Sequence, residues 1–399
     1  MAATSALGFG MFDADNHYYE AVDAFTRHRE PAFHKRGAQW ATIDGRQRLL
    51  IGGSVCRFIP NPQFDPVARP GALDAYFRGK LAGDDIRSAF GDLDPISPAY
   101  REPTARLSVM DAQGMDGCFL FPTLGVGIEQ ALVHDVDAAH ASFRAFNRWL
   151  ADDWGFAHAD RIFAAPYLTL LDPDQAIDEA RWAVVNGARV VVLRAAPVMA
   201  PSGWRSPGDP RYDPMWHALA EAGVLVAFHS GDSGYGIYAE HWGEPAEMEA
   251  FRRTPFRSIV ASERPIMDLT AALICHGVFA RHPSLHVATI ESGSEWVGPL
   301  VKKLAKAYAQ TPSSFEGDPV EQLRRNVWVA PYYEDDIAGL AATIGADHVL
   351  FGSDWPHAEG LAEPSAFVDD LAGFSPDDVR RIMRDNALGL ASAAGPVAA

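Results

Sequence analysis

Cysteine is scarce. Three occur in 399 residues, Cys56, Cys118 and Cys275, and none are in CxxC spacing. That excludes a disulfide-stapled scaffold and predicts buried free thiols in a reducing, cytoplasmic setting. Positive charge is also short. Thirty-four Lys and Arg stand against 52 Asp and Glu, a formal net charge of -18. An excess of acid argues against a nucleic-acid partner. No apolar run reaches membrane-spanning length, and no basic segment leads into a long apolar core near residue 1. Neither a membrane anchor nor a secretory leader is therefore expected. A Gly-rich phosphate fingerprint is missing too, which counts against an open dinucleotide-binding sheet.

What the chain has is apolar substance, 48% of residues, arranged in short runs. Candidate strands are Phe9–Asp13, Gly117–Phe121, Ile162–Leu168, Arg189–Arg194, Val224–His229, His286–Glu291, Val327–Pro331 and His348–Gly352. Most are bare apolar runs with little alternation, as in parallel strands covered on both faces. Helical patterns separate them. In Ala138–Trp154, the residues Phe143, Phe146, Leu150 and Trp154 recur at helical spacing and predict a core-facing stripe. Eight strands alternating with helices predict an α/β (β/α)₈ barrel as a single domain over residues 1–390. The Ala-rich stretch 391–399 is expected to fray.

One interval breaks the rhythm. About a hundred residues separate the first two strands, far more than a usual βα loop. Within it, Gln39–Gly53 reads as a β-hairpin turning at Asp44-Gly45. An aromatic and Pro-rich loop follows, Phe58–Arg78. An insertion after a barrel strand sits on the catalytic face, so residues 30–100 are expected to form a cap. A decorative or oligomer-forming hairpin is the rival reading.

Chemistry-bearing residues cluster where strands end. Asp15 and His17, two apart in extended chain, point to one side and can reach one ion. Asp13 shares their parity one step deeper. His229 closes the fifth strand, Glu291 the sixth, Arg194 the fourth and Asp354 the eighth, with His357 three residues on. A carboxylate such as Asp354 can ligate a metal or take a proton from water beside it. Glu291 is a further ligand or a proton shuttle. Arg194 suits a substrate carboxylate, with an internal salt bridge as the alternative. Trp296, Trp355 and His357 are candidate substrate contacts. His276 is placed in the helix before the sixth strand and read as structural.

Five strings together resemble the amidohydrolase superfamily. They are Asp13-Ala14-Asp15-Asn16-His17, Met110–Asp116, Gly277–Pro283, Glu291-Ser292-Gly293 and Gly352-Ser353-Asp354-Trp355-Pro356-His357. The resemblance is to the branch of aminocarboxymuconate-semialdehyde, γ-resorcylate and carboxyvanillate decarboxylases, and it spans Phe12 to about Leu390. It implies a barrel holding one divalent ion on Asp15, His17, His229 and Asp354, Zn²⁺ first and Mn²⁺ second, and a homodimer. Two departures stand out. Asp15 occupies the position of the usual first histidine, and Glu291 stands where the decarboxylases carry a histidine.

The expected function is thus metal-dependent, non-oxidative decarboxylation of a small aromatic carboxylic acid. Asp354, Glu291 and His229 would be catalytic. Hydrolysis of an ester, lactone, amide or C–C bond by activated water is the alternative, and Glu291 favours it. A non-catalytic ligand-binding barrel is the third reading, since fold alone does not fix function.

Overall fold

Buried parallel strands need covering on both sides, and the apolar runs obtain it by closing on themselves. β1 (Met11–Tyr18) pairs in parallel with β2 (Met115–Pro122), and β2 with β3 (Ile162–Ala164). β4 (Val190–Arg194), β5 (Leu225–His229), β6 (Val287–Ile290) and β7 (Val327–Val329) form a second parallel ladder. Single bridges join the ladders into a ring. Tyr167 meets Val192 on one side. On the other, the run 349–355, the eighth stave, meets β7 at Val329–Val349 and β1 at Asn16–Trp355. The amides of Ala14 and Asp354 donate to the carbonyls of Phe351 and Asp15 across that seam, both at 2.8 Å. The expected eight-stave barrel is the fold of this computed structural model, which describes residues 7–59, 61–80, 86–200, 203–245 and 254–394.

Helices shield the outer faces. The predicted aromatic stripe lies in helix Val136–Asp153 and its C-cap, where Phe143, Phe146, Leu150 and Trp154 are essentially fully buried. Burial of each contributes roughly 1.5–3 kcal/mol. Asp135, Asp172 and Asp318 cap their helices by accepting backbone N–H groups of the first turn. The eighth stave crosses β1 so closely that a Cβ on Gly352 would lie 2.7 Å from the Asp15 Cβ. Only glycine fits there without displacing Asp15.

The insertion has two parts. The hairpin, Ala38–Ile43 against Arg46–Ile51, turns on Asp44 and Gly45 with φ of 50° and 73°, a type I′ turn. It packs against the barrel wall: Trp40 Nε1 donates to the Val22 carbonyl at 2.6 Å, and Gly37 abuts Ser142. The following loop sits at the mouth. The Gly71 and Leu73 amides donate to the carbonyls of His357 and Ala358 at 3.1 and 2.7 Å. Arg101 ties the Gln63 carbonyl to those of Tyr19 and Glu20. Residues 60 and 81–85 of the expected cap lie outside the described residues.

The cysteines are free, as expected, but not all are buried. Cys118 is buried on β2, Cys56 is half-buried, and Cys275 is exposed. Cys275 ends helix Arg264–Cys275, and its apolar neighbour Ile274 faces the core while Cys275, a helical step round, faces out. At the far end, residues 391–393 complete helix Asn386–Ala393, with Ala391 buried. Residues 395–399 of the expected tail lie outside the described residues.

Candidate metal centre

The ends of β1, β5, β6 and the eighth stave converge at the barrel mouth. His17 is the hub and is fully buried. Its Nε2 lies 3.2 Å from Asp15 Oδ1, 3.4 Å from Asp354 Oδ1 and 3.8 Å from Glu291 Oε2. His229 Nε2 is 3.1 Å from His17 Nε2, 3.4 Å from Glu291 Oε2 and 3.5 Å from Asp15 Oδ1. One donor atom each from Asp15, His17, His229 and Glu291 fits within 4.8 Å of the others, and so does the set His17, Glu291, Asp354 and His357.

Hydrogen-bond direction says what this arrangement wants. His229 Nδ1 lies 2.7 Å from the Ser230 carbonyl, which can only accept, so Nδ1 carries the proton. The Nε2 lone pair then faces the site. Asp15 Oδ1 is buried and accepts no hydrogen bond. Asp15, His17, His229 and Glu291 thus turn oxygen and nitrogen atoms onto one volume. Two imidazoles and two carboxylates, from Asp15, His17, His229 and Glu291, suit a divalent cation such as Zn²⁺ or Mn²⁺.

The electrostatics agree. Burial works to raise the Asp15 carboxyl, but contact with His17 and His229 holds it well below the ordinary carboxylate range. Glu291 is pushed well up, by burial first and by the charge of Asp354 second. Asp354 is also raised, by burial and then by Glu359 and Asp15. His17 and His357 are lowered, chiefly by burial. His229 is raised, because Asp15 and Glu291 outweigh its burial. Glu291 and Asp354 both sit in left-handed backbone, with φ of 49° and 54°. Such non-glycine positions carry strain and concentrate at functional sites.

The other expected residues have varied placements. His357 Nδ1 meets Asp354 Oδ1 at 2.6 Å, and its ring stacks 4.1 Å from that of His17. Arg194 pairs in register with His229, so both side chains leave the same face. Its guanidinium donates to Gln130 Oε1 at 2.6 Å and lies 3.9 Å from Glu129. Trp355 is drawn into packing: its ring lies 5.4 Å from Tyr100 and 4.6 Å from the Arg106 guanidinium. Trp296 is buried and donates to the Gly293 carbonyl at 3.0 Å. His276 caps its helix and meets Ser206 at 2.6 Å, away from the mouth.

Four supporting residues carried little or no sequence signal. Asp13 accepts from Asn16, from the Asp15 amide, and from the amide and hydroxyl of Ser353, clamping β1 to the eighth stave. Burial raises it to about 7. Arg106, fully buried, donates to Asn16 Oδ1 and to the His17 and Ala99 carbonyls. Thr123 and Glu20 hold the loop after β2. Only the parity of Asp13 with Asp15 hinted at any of them.

Comparison with known proteins follows the same lines. The family model described as amidohydrolase matches residues 93–390. An amidohydrolase of Mycobacterium avium subsp. paratuberculosis K-10 is 47% identical, with a TM-score of 0.92 over 97% of this chain and 100% of that one. A dihydroxybenzoic acid decarboxylase of Polaromonas sp. JS666, solved with manganese and 2-nitroresorcinol, is 17% identical, with a TM-score of 0.59 over 96% and 97%. The 5-carboxyvanillate decarboxylase of Novosphingobium aromaticivorans DSM 12444, solved with manganese, is 16% identical, with a TM-score of 0.59 over 98% of each chain. At those identities the two decarboxylases share the fold. With three quarters of its length matched by the family model, and a near relative over almost all of it, the chain belongs to the amidohydrolase family.

Proposed function

We propose that the protein is a metal-dependent decarboxylase of a small aromatic carboxylic acid. The convergence of Asp15, His17, His229 and Glu291 on one volume, with Asp354 and His357 grouped beside it around the same His17 and Glu291, carries this reading. Asp15, His17, His229 and Asp354 would hold one divalent ion, Zn²⁺ or Mn²⁺, with Glu291 at its edge. Bound there, the ion supplies Lewis acidity and a template for the substrate's carboxylate and neighbouring oxygen.

Decarboxylation breaks the ring-to-carboxylate C–C bond, releases CO₂ and places a proton on the ring carbon. A proton donor is therefore needed. Glu291 suits the part: it is raised well above its usual range, and its side chain is 24% exposed at the site's edge. The contact between Asp354 Oδ1 and His357 Nδ1 offers a second place where a proton is held. The guanidinium of Arg194 supplies a counter-charge for the substrate beside His229. The fold shared with dihydroxybenzoate and carboxyvanillate decarboxylases supports the choice of substrate class.

Homodimer formation belongs to the same proposal. Ile237, Trp242 and Ile259 stand 45%, 80% and 81% exposed on and beside helices Gly236–Glu240 and Pro255–Ala261, apolar surface that a second copy could cover. Light scattering of the purified protein tests it.

The reaction is tested by mass spectrometry of products after metal-loaded protein meets hydroxybenzoates, lactones and dienoic acids. Loss of CO₂ from a hydroxybenzoate supports the proposal. A product with water added, or two fragments, overturns it in favour of hydrolysis, with Glu291 as the base.

A further inference from the structure

Thr123 has a hydroxyl with one proton and two neighbours. Its Oγ1 lies 2.7 Å from the Tyr18 carbonyl, which can only accept. The same oxygen lies 2.9 Å from His357 Nε2. Because the hydroxyl proton goes to Tyr18, the contact with His357 is attractive only if Nε2 carries a proton and donates it to Thr123. Nδ1 meets Asp354 Oδ1 at 2.6 Å, and that contact needs a second proton, on the nitrogen or on the carboxyl, because two acceptors would repel.

The loop that carries Thr123 is itself pinned. Glu20 Oε1 accepts from the amides of Leu124 and Gly125, at 2.8 and 2.9 Å. Glu20 is buried, and its other oxygen has no hydrogen-bond partner. Two buried backbone donors therefore depend on one side chain three residues beyond His17. The route runs from β1 through the loop after β2 to the eighth stave. It ends on a carboxylate assigned to the metal.

We propose that Thr123 is a positioning residue, which fixes His357 as the Nε2-protonated form and so orients Asp354, while Glu20 holds Thr123 in place. The assignment rests on the metal-site reading only for its functional consequence. The proton on Nε2 itself follows from the two contacts of Thr123. His357 packs against His17 and Tyr19 at ring distances of 4.1 and 5.6 Å, and those rings set its plane. They do not choose between its nitrogens. Thr123 does. Partners of this outer kind typically change metal affinity or activity by roughly 10–100-fold when removed.

The test uses full-length protein labelled with ¹⁵N-histidine, metal-free and with Zn²⁺, and the His357→Gln variant to assign the signal. Wild type and Thr123→Ser should show a protonated, pyrrole-type Nε2 at His357. Thr123→Val, which keeps the shape and loses the hydroxyl, should shift the proton or broaden the signal by exchange. Glu20→Ala, which frees the loop, should do the same more weakly. On the substrate found by product analysis, Thr123→Val should lower kcat with KM unchanged, and Thr123→Ser should restore it. An unprotonated Nε2 in the wild type, or identical spectra in Thr123→Val, overturns the proposal. Failure to find a turned-over substrate would count against the decarboxylase reading and leave the spectral result standing.

Discussion

Metal binding by this site should be coupled to proton release. Glu291 and Asp354 are both raised well above ordinary carboxylate values, by burial and by nearby negative charge. The metal-free protein therefore keeps protons on this pair to higher pH than ordinary carboxyls do, and a divalent ion must displace them. The expected count of released protons is above zero, so affinity should rise with pH. Titration calorimetry in two buffers of different ionisation enthalpy reads that count directly. Stability follows by linkage. An ion at a hundred times its Kd adds about 2.7 kcal/mol. Unfolding entropy of about 2.1 cal/mol/K per residue gives about 0.8 kcal/mol/K for this chain, so Tm should rise by about 3 °C. Glu291→Gln should remove part of the proton release and retain binding. A pH-independent affinity, or undiminished affinity in the His17→Ala/His229→Ala double variant, would refute the reasoning.

Asp354→Asn should keep the circular-dichroism spectrum and lower turnover by about 10²–10⁴-fold, the usual loss for an acid–base group; unchanged activity would remove Asp354 from the site. His140 is buried and its Nε2 accepts the Asp172 amide at 3.0 Å, and burial lowers it from 6.5 to about 4. A depressed histidine contributes stability that is present above pH 6.5 and lost as pH falls through 4, here about 3 kcal/mol. Urea unfolding should show that loss in wild type relative to His140→Gln, and parallel curves for the two proteins would contradict it. Gly127→Ala would drive a Cβ to 2.1 Å from the Phe58 ring. The mouth loop should loosen at a cost of roughly 1–3 kcal/mol, visible as faster proteolysis near Phe58; an unchanged cleavage rate would show that Phe58 simply turns aside.

Period and punctuation made the barrel legible. The eight apolar runs needed no long-range information, because most are bare apolar runs separated by helical pattern. Asp44-Gly45 announced its hairpin because only a I′ turn favours that pair with both φ positive. The ligand types were legible for a related reason: Asp15, His17, His229 and Glu291 follow apolar strands immediately, and the strand fixes where they emerge. What was not legible depends on partners far away in the chain. The packing of Trp355 against Tyr100 and Arg106 spans some 250 residues, and no local pattern marks Arg106 as buried. The exposure of Cys275 turned on one helical step at a helix end, where pattern is weakest.

The least legible feature is the seam between β1 and the eighth stave, and it explains how the site is held. Barrel ladders fix side chains by regular pairing, yet the register of β1 against β2 slips between Asp13 and Asn16. The eighth stave joins its neighbours through isolated bridges, and Asp354 leaves extended geometry altogether at φ 54°. Those departures bring Asp15 and Asp354 close to His17, at 3.2 and 3.4 Å. They also remove the ladder that would have held the carboxylates. Asp13 takes over that task with one side chain, accepting from Ser353 twice, from Asn16 and from the Asp15 amide. A carboxyl raised to about 7 by burial is the electrostatic cost of putting it there. Four donors offset that cost, and the strained backbone stays where the chemistry needs it. The candidate site is thus held by a polar clamp at the point where the sheet stops being regular, and a clamp of that kind has no period for a sequence to display.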